Sequence, residues 1–240
     1  MNEVWIIDAA RTPRGIGKMG KGALSEIHPQ RLLSTVLKTL QERNNLNTAD
    51  VDDVIAGCGM QIGKQSQCIA RMAALDAGWD NQATGFSLDR FCGSGLTAIN
   101  LGVMGIMSGQ QDLVVAGGVE SMSRVPMGSD GGAWAMDPDT NFKTGFMPQG
   151  IGADLIATLG GYSRADVDAF AMRSHHKAAA AWERSAFKNS IIPVVDRNLW
   201  EHSGRRFLIR IEPNRSNPFQ VMFFRPIYRA YPIDFRQQGS

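Results

Sequence analysis

The sequence predicts a layered α/β protein, with helices covering a mixed β-sheet. Three observations carry that expectation. Short apolar, β-branched runs alternate with longer stretches of helical period, in the order β-α-β-α-β-α-β as far as about residue 120. Within that order, residues 84–118 read as strand, turn, helix, strand. At 240 residues, with 43% apolar and 20% charged side chains, the chain holds one large domain or two small ones around a sizeable core.

Val4 to Ile7 is apolar and β-branched, the signature of a short buried strand. Residues 11–24 are Gly-rich and basic and read as a loop. Gly15-Ile-Gly-Lys-Met-Gly20 inside it matches the dinucleotide fingerprint, but that motif must open a helix directly, and Lys21-Gly22 and then Pro29 intervene. We therefore read it as a loop. A helix starts at Pro29, a residue suited to a first helical position, and runs to about Arg43. Leu32, Leu33, Val36, Leu37 and Leu40 form its apolar stripe, and Asn44-Asn45 ends it. Val51 to Cys58 reads as a strand, with Cys58 a small buried residue at its end. Ile69 to Trp79 reads as a helix.

Phe86 and Leu88 then alternate with Ser87 and Asp89, the period of a strand. Cys92 falls in the turn that follows, where Gly93 and Gly95 carry no side chain to crowd a sharp bend. Ser94 to Ser108 is a helix with Leu96, Ile99, Leu101, Val103, Met104, Ile106 and Met107 on nearly all sides, which predicts a buried helix. A cysteine at a helix start lies near unsatisfied N–H groups and the positive end of the helix dipole. Both favour thiolate, and thiolate is the nucleophile. Cys58 and Cys68 carry no such dipole argument in the sequence. The alternative for Cys92 is a structural cysteine buried in a tight turn.

From Pro126 to Pro148 the chain is rich in Gly, Asp, Asn and Pro, a long and mostly irregular excursion. Loops of that length are functional or disordered. Residues 150–159 and 163–187 read as helices, the second opened by Ser163 and Asp166 in a capping-box spacing with Asp in place of Glu. His175 and His176 are adjacent, so they lie about 100° apart around the helix and cannot share one metal. They read as solvated surface residues. Ile191 to Val195 reads as a strand.

Composition narrows the function classes. No apolar run approaches the roughly 20 residues of a membrane span, and the N-terminus lacks the basic-then-apolar order of a secretory signal. A cytoplasmic protein is the expectation. Three cysteines, odd in number and not closely paired, fit a reducing compartment rather than a disulfide framework. A net charge of +2 predicts no polyanion partner. Its distribution is uneven: residues 197–240 hold eight Arg, no Lys and three acidic residues, while the seven Lys lie at or before Lys188. The chain accordingly divides into an α/β domain over 1–124, a loop or cap region over 125–196, and a tail over 197–240. Residues 217–236 mix Arg with Phe, Tyr and three Pro without helical or strand period. Arg with aromatics can bind nucleic acid, but we read the stretch as a disordered tail of abnormal composition. A frameshift in the coding sequence is the preferred origin, a divergent extension the alternative.

Arg90-Phe-Cys-Gly-Ser-Gly-Leu and Ala116-Gly-Gly-Val-Glu-Ser-Met-Ser-Arg124 together resemble the thiolase family, acetyl-CoA acetyltransferases and 3-ketoacyl-CoA thiolases. So do Asp8-Ala-Ala-Arg-Thr-Pro-Arg-Gly, Gly63 to Arg71, Gly150-Ile-Gly-Ala-Asp-Leu-Ile-Ala and Ser163-Arg-Ala-Asp-Val-Asp-Ala-Phe-Ala. The likeness runs from the first residues to Asn198 and stops there. It implies one αβα half of a two-half enzyme, with the start of an inserted loop domain. It implies that Cys92 is the nucleophile, that acyl-CoA and coenzyme A are substrates rather than permanently bound cofactors, and that the intact family forms homo-oligomers. Phe146-Met147-Pro148 falls near where the family sets an apolar residue against the acyl group, so Met147 is a candidate substrate contact; otherwise it is a core methionine. The Gly-His-Pro motif, the second cysteine and the Asn-Glu-His segment of the family's second half do not occur in these 240 residues. His28 precedes a Pro but follows Ile27, not Gly. The resemblance therefore implies either an acyltransferase part that is inactive alone or a non-catalytic, thiolase-like subunit. A ketoacyl synthase is disfavoured by Val119-Glu-Ser-Met-Ser-Arg124.

Overall fold

A computed structural model describes residues 3–195 in full and residues 221–227 as backbone. Two compact units divide the chain: one takes residues 3–12, 27–120 and 221–227, the other 13–26 and 121–195.

The first unit is an αβα layer on a five-stranded mixed sheet. Its strands are β1 (Glu3–Ala10), β2 (Asp53–Gly57), β3 (Thr84–Leu88), β4 (Val114–Gly118) and β5 (Val221–Ile227). Their spatial order is β1-β5-β4-β2-β3. β2 pairs in parallel with both β3 and β4, so Leu88, Gly57 and Gly118 end side by side. β5 runs antiparallel between β1 and β4, with a register irregularity between Ile6 and Asp8.

Alternation along the strands sorts the two faces. Ile55, Val114 and Ala116 pack on α3 (Ser94–Met107) with Ala98 and Ile106. The opposite face receives α1 (Pro29–Asn44) and α2 (Ile69–Asp76). α1 buries the predicted stripe of Leu32, Leu33, Val36, Leu37 and Leu40. His28 Nδ1 accepts the Gln30 N–H at its start, and left-handed Asn45 closes its end. Asp8 of β1 accepts from Arg43 Nη2 and Asn44 Nδ2, each at 2.9 Å, so the opening motif anchors the end of α1. α2 stops at Asp76, short of the expected Trp79, because Gly78 turns left-handed at φ +80°.

Three expectations are corrected here. β1 is not a buried strand: Trp5, Ile6 and Ile7 are 58%, 59% and 43% exposed. It lies at the edge of the sheet, and an apolar run has the same signature whether or not a layer covers it. α3 is not buried all round. Ala98, Gly102 and Ile106 face the sheet, while Leu96 and Met104 are 65% and 54% exposed. Among the described residues α3 is the covering layer on this face, and such a helix buries one side only. Finally, the tail expected to be disordered contains strand β5. The remainder of 197–240 lies outside the described residues.

In the second unit, Arg124 donates from Nη2 to the Glu26 carbonyl at 2.8 Å and from Nε to the Ser25 carbonyl, tying the loop 13–26 to the segment after Ser121. No helix opens in that loop, as the rejected dinucleotide motif required. The stretch expected to be mostly irregular holds two short helices, α4 (Ala133–Met136) and α5 (Pro138–Thr144). Asp137 and left-handed Gly145 cap α5, so helix signals sit within this Gly- and Asp-rich stretch. α6 (Gln149–Leu159) and α7 (Arg164–Glu183) follow. α7 opens with the predicted box: Ser163 accepts from Asp166 N–H, and the Asp166 carboxylate accepts from Ser163 N–H. Ile191 and Val195 form isolated bridges rather than the expected strand over 191–195.

Candidate active site

In parallel α/β sheets, ligands meet the chain beyond the carboxyl ends of the strands. Here those ends carry Cys58 after β2, Asp89 and Cys92 after β3, and Glu120 after β4.

The chain leaves β3 and turns within five residues into α3. Phe91 adopts φ +47°, a conformation costly for a residue with a side chain. Several hydrogen bonds hold it there. Asp89 Oδ1 accepts the Phe91 N–H at 2.7 Å. Ser94 Oγ accepts the Arg90 N–H at 2.7 Å and donates to the Phe91 carbonyl at 2.6 Å. The Gly93 N–H reaches the Arg90 carbonyl, and the Ser94 N–H the Phe91 carbonyl. Cys92 is exposed at the tip, immediately before Gly93, the cap residue of α3. A strand-to-helix turn of this kind lifts a side chain clear of the sheet.

Gly57 makes the elbow possible. A β-carbon there would stand 2.4 Å from the Ser94 carbonyl carbon and 2.6 Å from the Gly95 nitrogen. The absent side chain lets the first turn of α3 rest on the end of β2. Gly102 does the same further along the helix, facing Val114 Cγ1.

The three thiols differ. Cys58 is buried, as expected, and burial first, then the charge of Glu120, pushes its thiol up to about 12. It stays protonated and is no nucleophile. Cys68 corrects the sequence expectation, because it too stands at a helix start, as the left-handed cap residue of α2. Its Sγ is half-buried and lies 3.2 Å from the Gly85 carbonyl, which occupies the thiol. Position at a helix terminus therefore does not separate Cys92 from Cys68; exposure and a free approach do.

Glu120 is the group that sequence reasoning missed. Its carboxylate accepts the Gly59 N–H at 2.8 Å and a short bond from Gln65 Nε2, which also donates to the Met60 carbonyl at 2.9 Å. It joins the chain after β4 to the chain after β2. Its place in the Val119-Glu-Ser-Met-Ser-Arg124 motif was the available signal. The other candidate, Met147, belongs to the second unit, half-exposed ahead of α6 with its sulfur toward Gly152. Cys92 belongs to the first. His175 and His176 are exposed on α7, and the described residues contain no group of three or more potential metal ligands. No helix among them is long and apolar enough to cross a membrane.

Fold and turn together define an αβα layer that presents a cysteine on a strained elbow. Residues 4–203 match the family model for the thiolase N-terminal domain. The chain is 39% identical over 205 residues to a steroid 3-ketoacyl-CoA thiolase of Mycobacterium tuberculosis, covering 81% of this chain and 50% of that one. It is 38% identical over 215 residues to the 3-oxoadipyl-CoA/3-oxo-5,6-dehydrosuberyl-CoA thiolase of Escherichia coli, covering 82% and 53%. The crystal structure of the Bacillus anthracis acetyl-CoA acetyltransferase superposes with a TM-score of 0.74 at 26% identity, over 94% of this chain and 66% of that one. The chain belongs to the thiolase family, and it spans about half the length of the curated relatives it matches.

Proposed function

We propose that this chain is the nucleophile-bearing part of a thiolase, in which Cys92 takes an acyl group from a 3-ketoacyl-CoA and passes it to coenzyme A. The observation that carries the reading is the exposed thiol of Cys92 on a hydrogen-bonded elbow, beside a Cys58 that burial keeps protonated. The relatives' names support 3-ketoacyl-CoA thioesters as the substrate class.

The thiolate attacks the 3-keto carbon, and the bond between carbons 2 and 3 breaks. The electron pair leaves on the acetyl-CoA fragment, which takes a proton. The thiol of coenzyme A then attacks the acyl-cysteine and returns the thiolate. Two moderate barriers replace one high barrier. Read backward, the sequence condenses two acetyl-CoA.

The steps also need a base for the thiol, an acid for the carbanion and donors for the developing oxyanions. Acid–base groups contribute about 10²–10⁴-fold, and one oxyanion donor about 10²–10³-fold. The family motifs that supply them are not in these 240 residues. His28, in the same unit as Cys92, is committed to capping α1. These 240 residues by themselves therefore have no measurable turnover, and need a second half that carries those groups within a cytoplasmic oligomer. A second reading, a non-catalytic thiolase-like subunit, draws on Leu96 and Met104 of α3, which are left exposed as a partner-facing apolar surface would be. Acetoacetyl-CoA thiolysis with coenzyme A, run beside Cys92→Ala, tests the proposal. Turnover by the wild-type chain that the variant abolishes refutes the need for a second half. Iodoacetamide labelling of Cys58 or Cys68 ahead of Cys92 refutes the nucleophile.

A further inference from the structure

We propose that Ser94, together with Asp89, is the positioning residue of the Cys92 elbow, holding the thiol at the start of α3 through bonds to the backbone on its N-terminal side. The inference rests on Cys92 being the nucleophile. Burial alone does not hold the turn, since Phe91 and Leu96 are 58% and 65% exposed. Glycine freedom does not explain it either, because the left-handed residue is Phe91. Beside the Gly93–Arg90 and Ser94–Phe91 backbone bonds, two side chains restrain the turn. Ser94 Oγ is a hub, accepting from the Arg90 N–H and donating to the Phe91 carbonyl, with Asp89 Oδ1 3.5 Å away. Asp89 closes the other side by accepting the Phe91 N–H. Ser94 is 2% exposed and seated against the bare backbone of Gly57, so it has little room to move. Arg90 and Phe91 are thus fixed by residues on both sides of Cys92. Neither Ser94 nor Asp89 needs to touch substrate for this.

The experiment measures iodoacetamide alkylation of each cysteine by mass spectrometry, near neutral pH, in the full 240-residue chain. The variants are Ser94→Ala, Asp89→Ala and Asp89→Asn. Losing one hydrogen bond of ordinary strength corresponds to about a threefold to tenfold change in rate. Both alanine variants are expected to slow Cys92 by that factor, while Cys58 stays protected. Asp89→Asn is expected to keep the wild-type rate, because its amide oxygen still accepts from Phe91. Cys58 separates this role from plain destabilisation: a loss of folding exposes it and speeds its labelling. Wild-type rates at Cys92 in both alanine variants, with Cys58 protected, overturn the inference. Slowing in either that always accompanies exposure of Cys58 also overturns it. A wild-type chain in which Cys92 reacts no faster than Cys68 fails at the earlier step, the nucleophile assignment.

Discussion

Replacing Gly57 by alanine places a methyl carbon 2.4 Å from the Ser94 carbonyl carbon, 2.6 Å from the Gly95 nitrogen and 2.7 Å from Ser94 Cβ. Carbon atoms in contact prefer about 3.5–4.0 Å, so the first turn of α3 or the end of β2 must retreat by about 1 Å. Neither can do so cheaply. β2 is the sheet's inner parallel strand, laddered to β3 and β4, and α3 is packed on it through Ala98 and Ile106. Forced overpacking of this kind costs about 1–3 kcal/mol. The displaced turn carries Ser94, so the hydrogen bonds that hold Phe91 lengthen as well. Gly57→Ala should lower stability by that amount in denaturant melts and slow iodoacetamide at Cys92. Gly150→Ala is the control: its β-carbon meets nothing within 4 Å, and the residue is helical, so it should be neutral or slightly stabilising. A Gly57→Ala chain as stable as wild type, within about 0.5 kcal/mol, with unchanged labelling, would refute the close approach of α3 to β2.

Deleting residues 204–240 keeps the region matched by the family model but removes β5, which stands between β1 and β4; the chain should unfold at lower denaturant, and an unchanged midpoint would refute the strand's place. Cys58 is protonated in the fold, with its thiol raised from 9.0 to about 12, so between those pH values only the unfolded chain loses the proton. Stability should therefore fall across that window, fully present below about 9, and Cys58→Ala should flatten the dependence in pH-resolved melts. Ser163→Ala should reduce helicity by circular dichroism, since Ser163 accepts from Asp166 N–H. Hydrogen bonds from the Ser163 side chain and then its backbone hold the Asp166 carboxyl below its ordinary range. That contribution is present above the ordinary carboxylate range and should be lost as pH falls through the lowered value.

The positions of α1, β2, β3, α3 and α7 were legible in the sequence because their causes are local. Apolar spacing, Pro29 at a helix start, Asn45 at its end and the Ser163–Asp166 box all act within about one turn. The Cys92 turn was legible for the same reason, as glycines between a strand period and a helix period. Met147 was placed by resemblance alone, and the structure assigns it to the other unit. Tertiary structure decided what local signals do not encode. Hydrophobicity says that α3 and β1 favour burial, but not whether a layer covers them; Leu96 and Ile6 are left open. Glu120 reaches Gly59 and Gln65 across 61 and 55 residues of chain, a contact set by strand order. Cys68 stands as the left-handed cap residue of α2, a backbone conformation that its sequence neighbours do not announce. β5 is the clearest case. Its residues show no period, and Pro226 has no N–H to give, yet the strand pairs through its backbone with β1 and β4, so its place is set by strand pairing rather than by a pattern in its own sequence.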